Sequence, residues 1–114
     1  MARVLTARHV AWADIVPDEV YPGVARQMVD GERQTLVRYV YQPGAVFPVH
    51  SHPEEQITSV LTGRIRFEVA GEPVTLSAGE VAVIPPNVPH GATVLGDEPV
   101  ETLNTLSPRR NDHP

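Results

Sequence analysis

At 114 residues, 41% hydrophobic and 20% charged, the chain can close one hydrophobic core, and its composition excludes wholesale disorder. A formal net charge of −5 argues against a phosphate-binding surface and so against nucleic acid as a partner, and the absence of lysine excludes Schiff-base chemistry. The absence of cysteine removes disulfides, thiolate nucleophiles and thiolate metal sites, leaving imidazole, carboxylate and amide as metal donors.

In chain order, Met1 to Thr6 lacks the apolar run of a signal peptide and no segment approaches transmembrane length, so the expected location is the cytoplasm, away from membranes. One domain is expected over 1–114, with an N-terminal strand segment at 1–19, a core over about 20–107 and a polar tail at 108–114. A short turn is expected around Trp12 to Ile15. Twelve prolines and eight glycines cut the chain into pieces too short for ordinary helices. Between the cuts, strands are predicted at Val24 to Val29, Thr35 to Tyr41, Ala45 to Val49, Ile57 to Leu61, Arg64 to Val69, Val74 to Leu76, Val81 to Ile84, Ala92 to Leu95 and Val100 to Leu106. Turn formers separate them, among them Asp30-Gly31, Pro43-Gly44, Thr62-Gly63 and Ala78-Gly79. So many short strands in so short a chain predict an all-β closed barrel or sandwich. Arg38, Arg64 and Arg66 are assigned to solvated faces, with pocket lining a second option for Arg38. Trp12, Tyr39, Tyr41, Phe47 and Phe67 are assigned to core or pocket wall.

Three of the five histidines fall in two turn-bounded contexts. In Val49-His50-Ser51-His52-Pro53-Glu54-Glu55-Gln56, positions i and i+2 of a strand project from one face, so His50 and His52 can aim two imidazoles at one point. In Pro85-Pro86-Asn87-Val88-Pro89-His90, a short strand runs into a proline-stiffened turn that presents His90 on a rigid mount. The combination points to one divalent transition metal (Ni, Zn, Mn, Fe or Co) held by His50, His52, Gln56 and His90. Glu54 or Glu55 could supply a carboxylate in place of Gln56. His9 and His113 lie in weakly patterned terminal contexts and are assigned no role.

The segment from Gly44 to Gly63 resembles the first motif of the cupin family: glycine, five residues, His-x-His, an acidic ligand after three or four residues, then six residues and a glycine. The segment from Gly79 to His90 resembles the second, a glycine, five residues and a proline, with a histidine shortly after. The resemblance covers about two-thirds of the chain and implies a cupin double-stranded β-helix, or jelly-roll barrel, with a metal pocket. Gln56 stands where the family usually has glutamate, and Asn87 where it usually has glycine; asparagine tolerates a left-handed backbone. Three imidazoles and a neutral amide leave a divalent ion at its full charge, a stronger Lewis acid that favours anionic oxygen ligands.

Within the family, the chain is similar to small cupins that ketonise unsaturated uronates and to cupin-type polyketide cyclases. The uronate enzymes carry Asp, Phe and Arg on and after the last strand, at positions matching Asn104, Leu106 and Arg110 here; only the arginine is kept. Asn104 cannot transfer a proton as a carboxylate does. The resemblance implies a metal-dependent isomerase or cyclase acting through an enolate on a small anionic or polyketone substrate, with Arg110 holding a carboxylate and Asn104 donating a hydrogen bond. Alternatives are a non-haem iron dioxygenase and a non-catalytic ligand-binding barrel. Small cupins usually pair through their sheets, which implies a homodimer.

Overall fold

The computed structural model describes residues 6–110. A 3-10 turn at Trp12–Asp14 precedes ten strands: β1 (Asp18–Tyr21), β2 (Val24–Asp30), β3 (Thr35–Tyr41), β4 (Val46–His50), β5 (Glu55–Thr62), β6 (Arg64–Val69), β7 (Glu72–Ser77), β8 (Val81–Ile84), β9 (His90–Leu95) and β10 (Val100–Ser107). They form a six-stranded sheet, β1-β2-β3-β10-β5-β8, facing a four-stranded sheet, β4-β9-β6-β7, with antiparallel neighbours throughout. This is the all-β jelly-roll barrel expected from the pattern of short strands.

Two elements differ from expectation. The N-terminal strand, expected within 1–19, lies at the end of that segment as β1 (Asp18–Tyr21), which returns into β2 through a tight turn at Gly23, where φ is +76°. It is four residues long and begins with exposed Asp18 and Glu19, so it lacks an apolar run of its own. Strand β9 starts at His90, two residues earlier than the apolar run suggests, so this histidine opens a strand instead of sitting in the preceding turn. Of the polar tail expected at 108–114, residues 111–114 lie outside the described residues.

Inward positions of β5 and β10 grade along the barrel. Val60 pairs with Thr102 and Thr58 with Asn104, so aliphatic, hydroxyl and amide side chains follow one another toward one end. Val24, Val60, Ile65, Val94 and Val100 pack the closed end. The outer face of β2 and β3 is covered by the N-terminal segment, where Gln27 Nε2 donates to Trp12 O at 2.8 Å and Ile15 O at 2.7 Å. Arg38 lies on this outer face, donating to Gln27 Oε1 at 2.6 Å and pairing with Glu101 at 2.5 Å. It therefore faces away from the cavity, which removes pocket lining as a role for it.

Candidate metal centre

His50 closes β4 and is the cross-strand partner of His90 on β9. The β4–β9 ladder slips between Phe47 and His50, and His52 lies beyond the strand, in the connection to β5. Strand alternation alone therefore does not aim this pair. A tie between the two motifs does: Asn87 N–H donates to His52 O at 2.8 Å. Asn87 has φ +66°, the left-handed conformation that asparagine tolerates. At Gly91, a Cβ would meet Phe47 O at 2.9 Å and Val49 N at 3.1 Å, so the strand bearing His90 approaches β4 too closely for any side chain.

Each imidazole is held by its Nδ1 on a carbonyl: His50 on Pro48 O at 3.0 Å, His52 on Glu54 O at 3.0 Å and His90 on Val88 O at 2.9 Å. A carbonyl only accepts, so in each ring Nδ1 carries the proton and Nε2 keeps a free lone pair. The ligand atoms of the three rings lie within 4.8 Å of one another. His90 Nε2 is buried with no hydrogen-bond partner. Burial pushes the His90 imidazole down to about 4 and lowers that of His50, with neighbouring positive charge adding to both, so both are neutral near pH 7.

The orientation of Gln56 follows from donor and acceptor logic. Asn104 Nδ2 donates to Val37 O at 3.2 Å, which fixes which end of that amide is nitrogen, and also to Thr102 Oγ1 at 3.0 Å. Asn104 Oδ1 then accepts from Thr58 Oγ1 at 2.7 Å and from Gln56 Nε2 at 3.2 Å. Gln56 Nε2 also donates to Thr58 Oγ1 at 2.9 Å. With its nitrogen committed there, Gln56 turns Oε1 toward the histidines, 3.1 Å from His52 Nε2. Two lone pairs at that distance repel unless a cation or a proton lies between them. Glu54 does not compete for the role, since its carboxylate sits 3.4 Å from His52 Nδ1, behind the ring. Glu55 is exposed.

This donor set fits a divalent transition metal. Two donors about 2.1 Å from a metal in a tetrahedral site stand about 3.4 Å apart, so rings whose ligand atoms lie within 4.8 Å of one another close on an ion by side-chain movements on the order of 1 Å. The orphaned His90 Nε2 gains its missing partner in the same movement, and Glu54 supplies the outer-shell carboxylate common behind such ligands.

The cluster opens on a cavity of about 640 Å³, to which Phe47, Tyr39, Asn104 and Arg110 contribute wall. Asn104 is 2% exposed and spends both amide hydrogens on protein acceptors. Arg110 is brought to the mouth by its backbone N–H, which donates to Thr35 Oγ1 at 3.1 Å. Tyr39 and Tyr41 are wall and core respectively, and burial raises the pKa of both hydroxyls, so they stay protonated. The sequence reading did not single out Arg26, which lines the cavity; its place two residues after the core residue Val24 on β2 was the available signal.

Fold and site together define a two-sheet β-barrel with three imidazoles and an amide oxygen converging at its open end. Residues 37–106 match the cupin domain family, and the chain belongs to it. It is 40% identical over 77 residues to H2HPP isomerase of Bacillus subtilis, covering 67% of this chain and 32% of that protein. It is 30% identical over 112 residues to nitrosourea synthase of Streptomyces achromogenes subsp. streptozoticus, covering 91% of this chain and 23% of that protein. The chain thus spans less than a third of the length of these curated relatives. Among solved structures it is similar to KdgF from Halomonas sp., with 29% identity, a TM-score of 0.82, and coverage of 94% of this chain and 98% of that one. Among the described residues, no helix is long and apolar enough to cross a membrane.

Proposed function

We propose that the protein is a metal-dependent isomerase working through an enol or enolate of a small oxygenated acid. The observation that carries this reading is the set of Nε2 lone pairs on His50, His52 and His90, converging with no donor to receive them. Gln56 Oε1 completes the set. When bound, a divalent ion supplies Lewis acidity at an oxygen of the substrate, undiminished by any ligand carboxylate. The chain's own residues do the rest. Thr58 and Asn104 hold Gln56 in its ligating orientation. The rings of Phe47 and Tyr21, 4.8 Å apart, give the cavity an apolar stretch of wall. Tyr39 keeps its hydroxyl proton, and Arg110 holds the carboxylate expected of the substrate. Asn104 acts through Gln56, its own hydrogens being spent.

The likeness to an isomerase from B. subtilis supports this class over the alternatives. A homodimer belongs to the same proposal, supported by the apolar outer face of β5 and β8, where Ile57, Val81 and Val83 are exposed.

The test is elemental analysis of protein purified without chelator, followed by assays of the metal-loaded protein on unsaturated uronates, 2-oxo acids and β-polyketones. Turnover lost in His52→Ala supports the isomerase. Oxygen uptake strictly dependent on Fe(II) selects a dioxygenase, and ligand binding without turnover selects a binding barrel.

A further inference from the structure

The geometry points to a second element of the cavity: an anion seat formed by Arg26 with Arg110 and the Tyr39 hydroxyl, which holds the carboxylate of a 2-oxo or enol acid. It rests on the proposed metal reading for the other end of the substrate. Arg26 is an inward residue of β2 and the cross-strand partner of Tyr39. Its positive charge acts on the Tyr39 hydroxyl, and both side chains line the cavity.

A guanidinium in a cavity wall requires a counter-charge, and the described residues supply little. The Arg26 side chain is 12% exposed, its ion-pair partner among the described residues is Asp18 at 3.9 Å, and Asp18 is 71% exposed. At that distance and exposure, solvent screens most of the attraction. Arg26 Nε is buried with no hydrogen-bond partner. Arg110 lines the same cavity as Arg26, Tyr39 and the histidine cluster. Phe47 spans the same gap, its ring 4.7 Å from that of His50 and 5.4 Å from that of Tyr39.

A ligand matching these features carries an enolisable oxygen at one end, a flat apolar middle against Phe47, and a carboxylate at the other end. Planar, forked guanidinium groups suit a carboxylate in bidentate contact. Asp18 and Glu19 at the mouth disfavour a more highly charged phosphate.

The test is the preference of Co(II)-loaded protein for phenylpyruvate over methyl phenylpyruvate, which lacks the carboxylate charge. The native protein is expected to bind the acid about tenfold or more tightly. Arg26→Met is expected to cut that preference severalfold, to what Arg110 alone sustains, while leaving ester affinity and the Co(II) absorption spectrum unchanged. Arg26→Lys, which keeps the charge without the fork, is expected to restore part of it. A native protein that does not prefer the acid, or a preference that Arg26→Met leaves intact, overturns the seat. Failure of the metal reading looks different, because Co(II) is then not taken up at all. The seat is in that case read from phenylacetate binding to metal-free protein: loss in Arg26→Met supports it, and no change overturns it.

Discussion

Gln56 and Asn104 meet amide to amide across β5 and β10, with Gln56 Nε2 3.2 Å from Asn104 Oδ1. The contact makes the direction of one side chain depend on the direction of the other. Val37 O, a pure acceptor 3.2 Å from Asn104 Nδ2, sets the whole series.

Replacing Asn104 by leucine removes the acceptor of the Thr58 hydroxyl and one of the two acceptors of Gln56 Nε2, takes a donor from Val37 O and Thr102 Oγ1, and loosens the hold on the Gln56 amide. The metal-free protein is expected to lose about 1–3 kcal/mol of stability. Affinity for Co(II) or Zn(II) is expected to fall about 10–100-fold, as for other outer-shell changes. Urea unfolding and metal titration of the same preparation measure both. An unchanged metal affinity would show that the orientation of Gln56 is set elsewhere.

Saturating metal should raise the melting temperature of the native protein, since an ion that binds only the folded chain adds about 2.7 kcal/mol at a hundredfold excess over Kd. His52→Ala and His90→Ala are expected to lose that shift, and His9→Ala, in the exposed N-terminal segment, to keep it. Calorimetric melts with metal and with added chelator check this. Equal shifts in all three variants would place the ion elsewhere.

The metal-free protein is expected to weaken as pH falls from about 6.5 toward 4. The His90 imidazole is lowered by burial to about 4, so over that window the unfolded chain binds more protons than the folded one, and protonation favours unfolding. His50, lowered for the same reason, adds in the same direction. A melting temperature recorded against pH tests the sign, and His90→Ala is expected to flatten the slope.

Gly63 and Gly71 separate crowding from backbone conformation. Both have positive φ, at +78° and +80°. A Cβ at Gly63 would stand 2.7 Å from Pro99 O and 2.8 Å from Val100 Cγ2, whereas at Gly71 nothing lies within 4 Å. Gly71→Ala is expected to cost about 1 kcal/mol from the left-handed backbone alone, and Gly63→Ala at least twice as much. Chemical denaturation of the two variants compares them directly.

Much of this was legible in the residues. Alternation in Arg64-Ile65-Arg66-Phe67 and the glycine-punctuated runs gave the strands, and the spacing of His50, His52, Gln56 and His90 gave the cluster. Strand alternation does not account for the aim of His52, because the slip in the β4–β9 ladder and the bond from Asn87 are tertiary facts that no local pattern carries. The buried relay through Thr58, Thr102 and Asn104 had a weaker signal. With Glu101 outward on β10, positions 102 and 104 must point inward, and inward polar residues need partners. Arg26 is hard to read for the opposite reason: arginine is ordinarily a surface residue, and only its parity with Val24 marks it as inward.

Gln56 stands on β5 of the six-stranded sheet, whereas His50 and His90 stand on β4 and β9 of the four-stranded one, so the ligands meet only when the two sheets have come together. Before that closure no partial structure gathers all four side chains, so an ion has nothing to stabilise along most of the folding route. Added metal should accordingly leave the refolding rate nearly unchanged and act by retarding escape from the finished barrel.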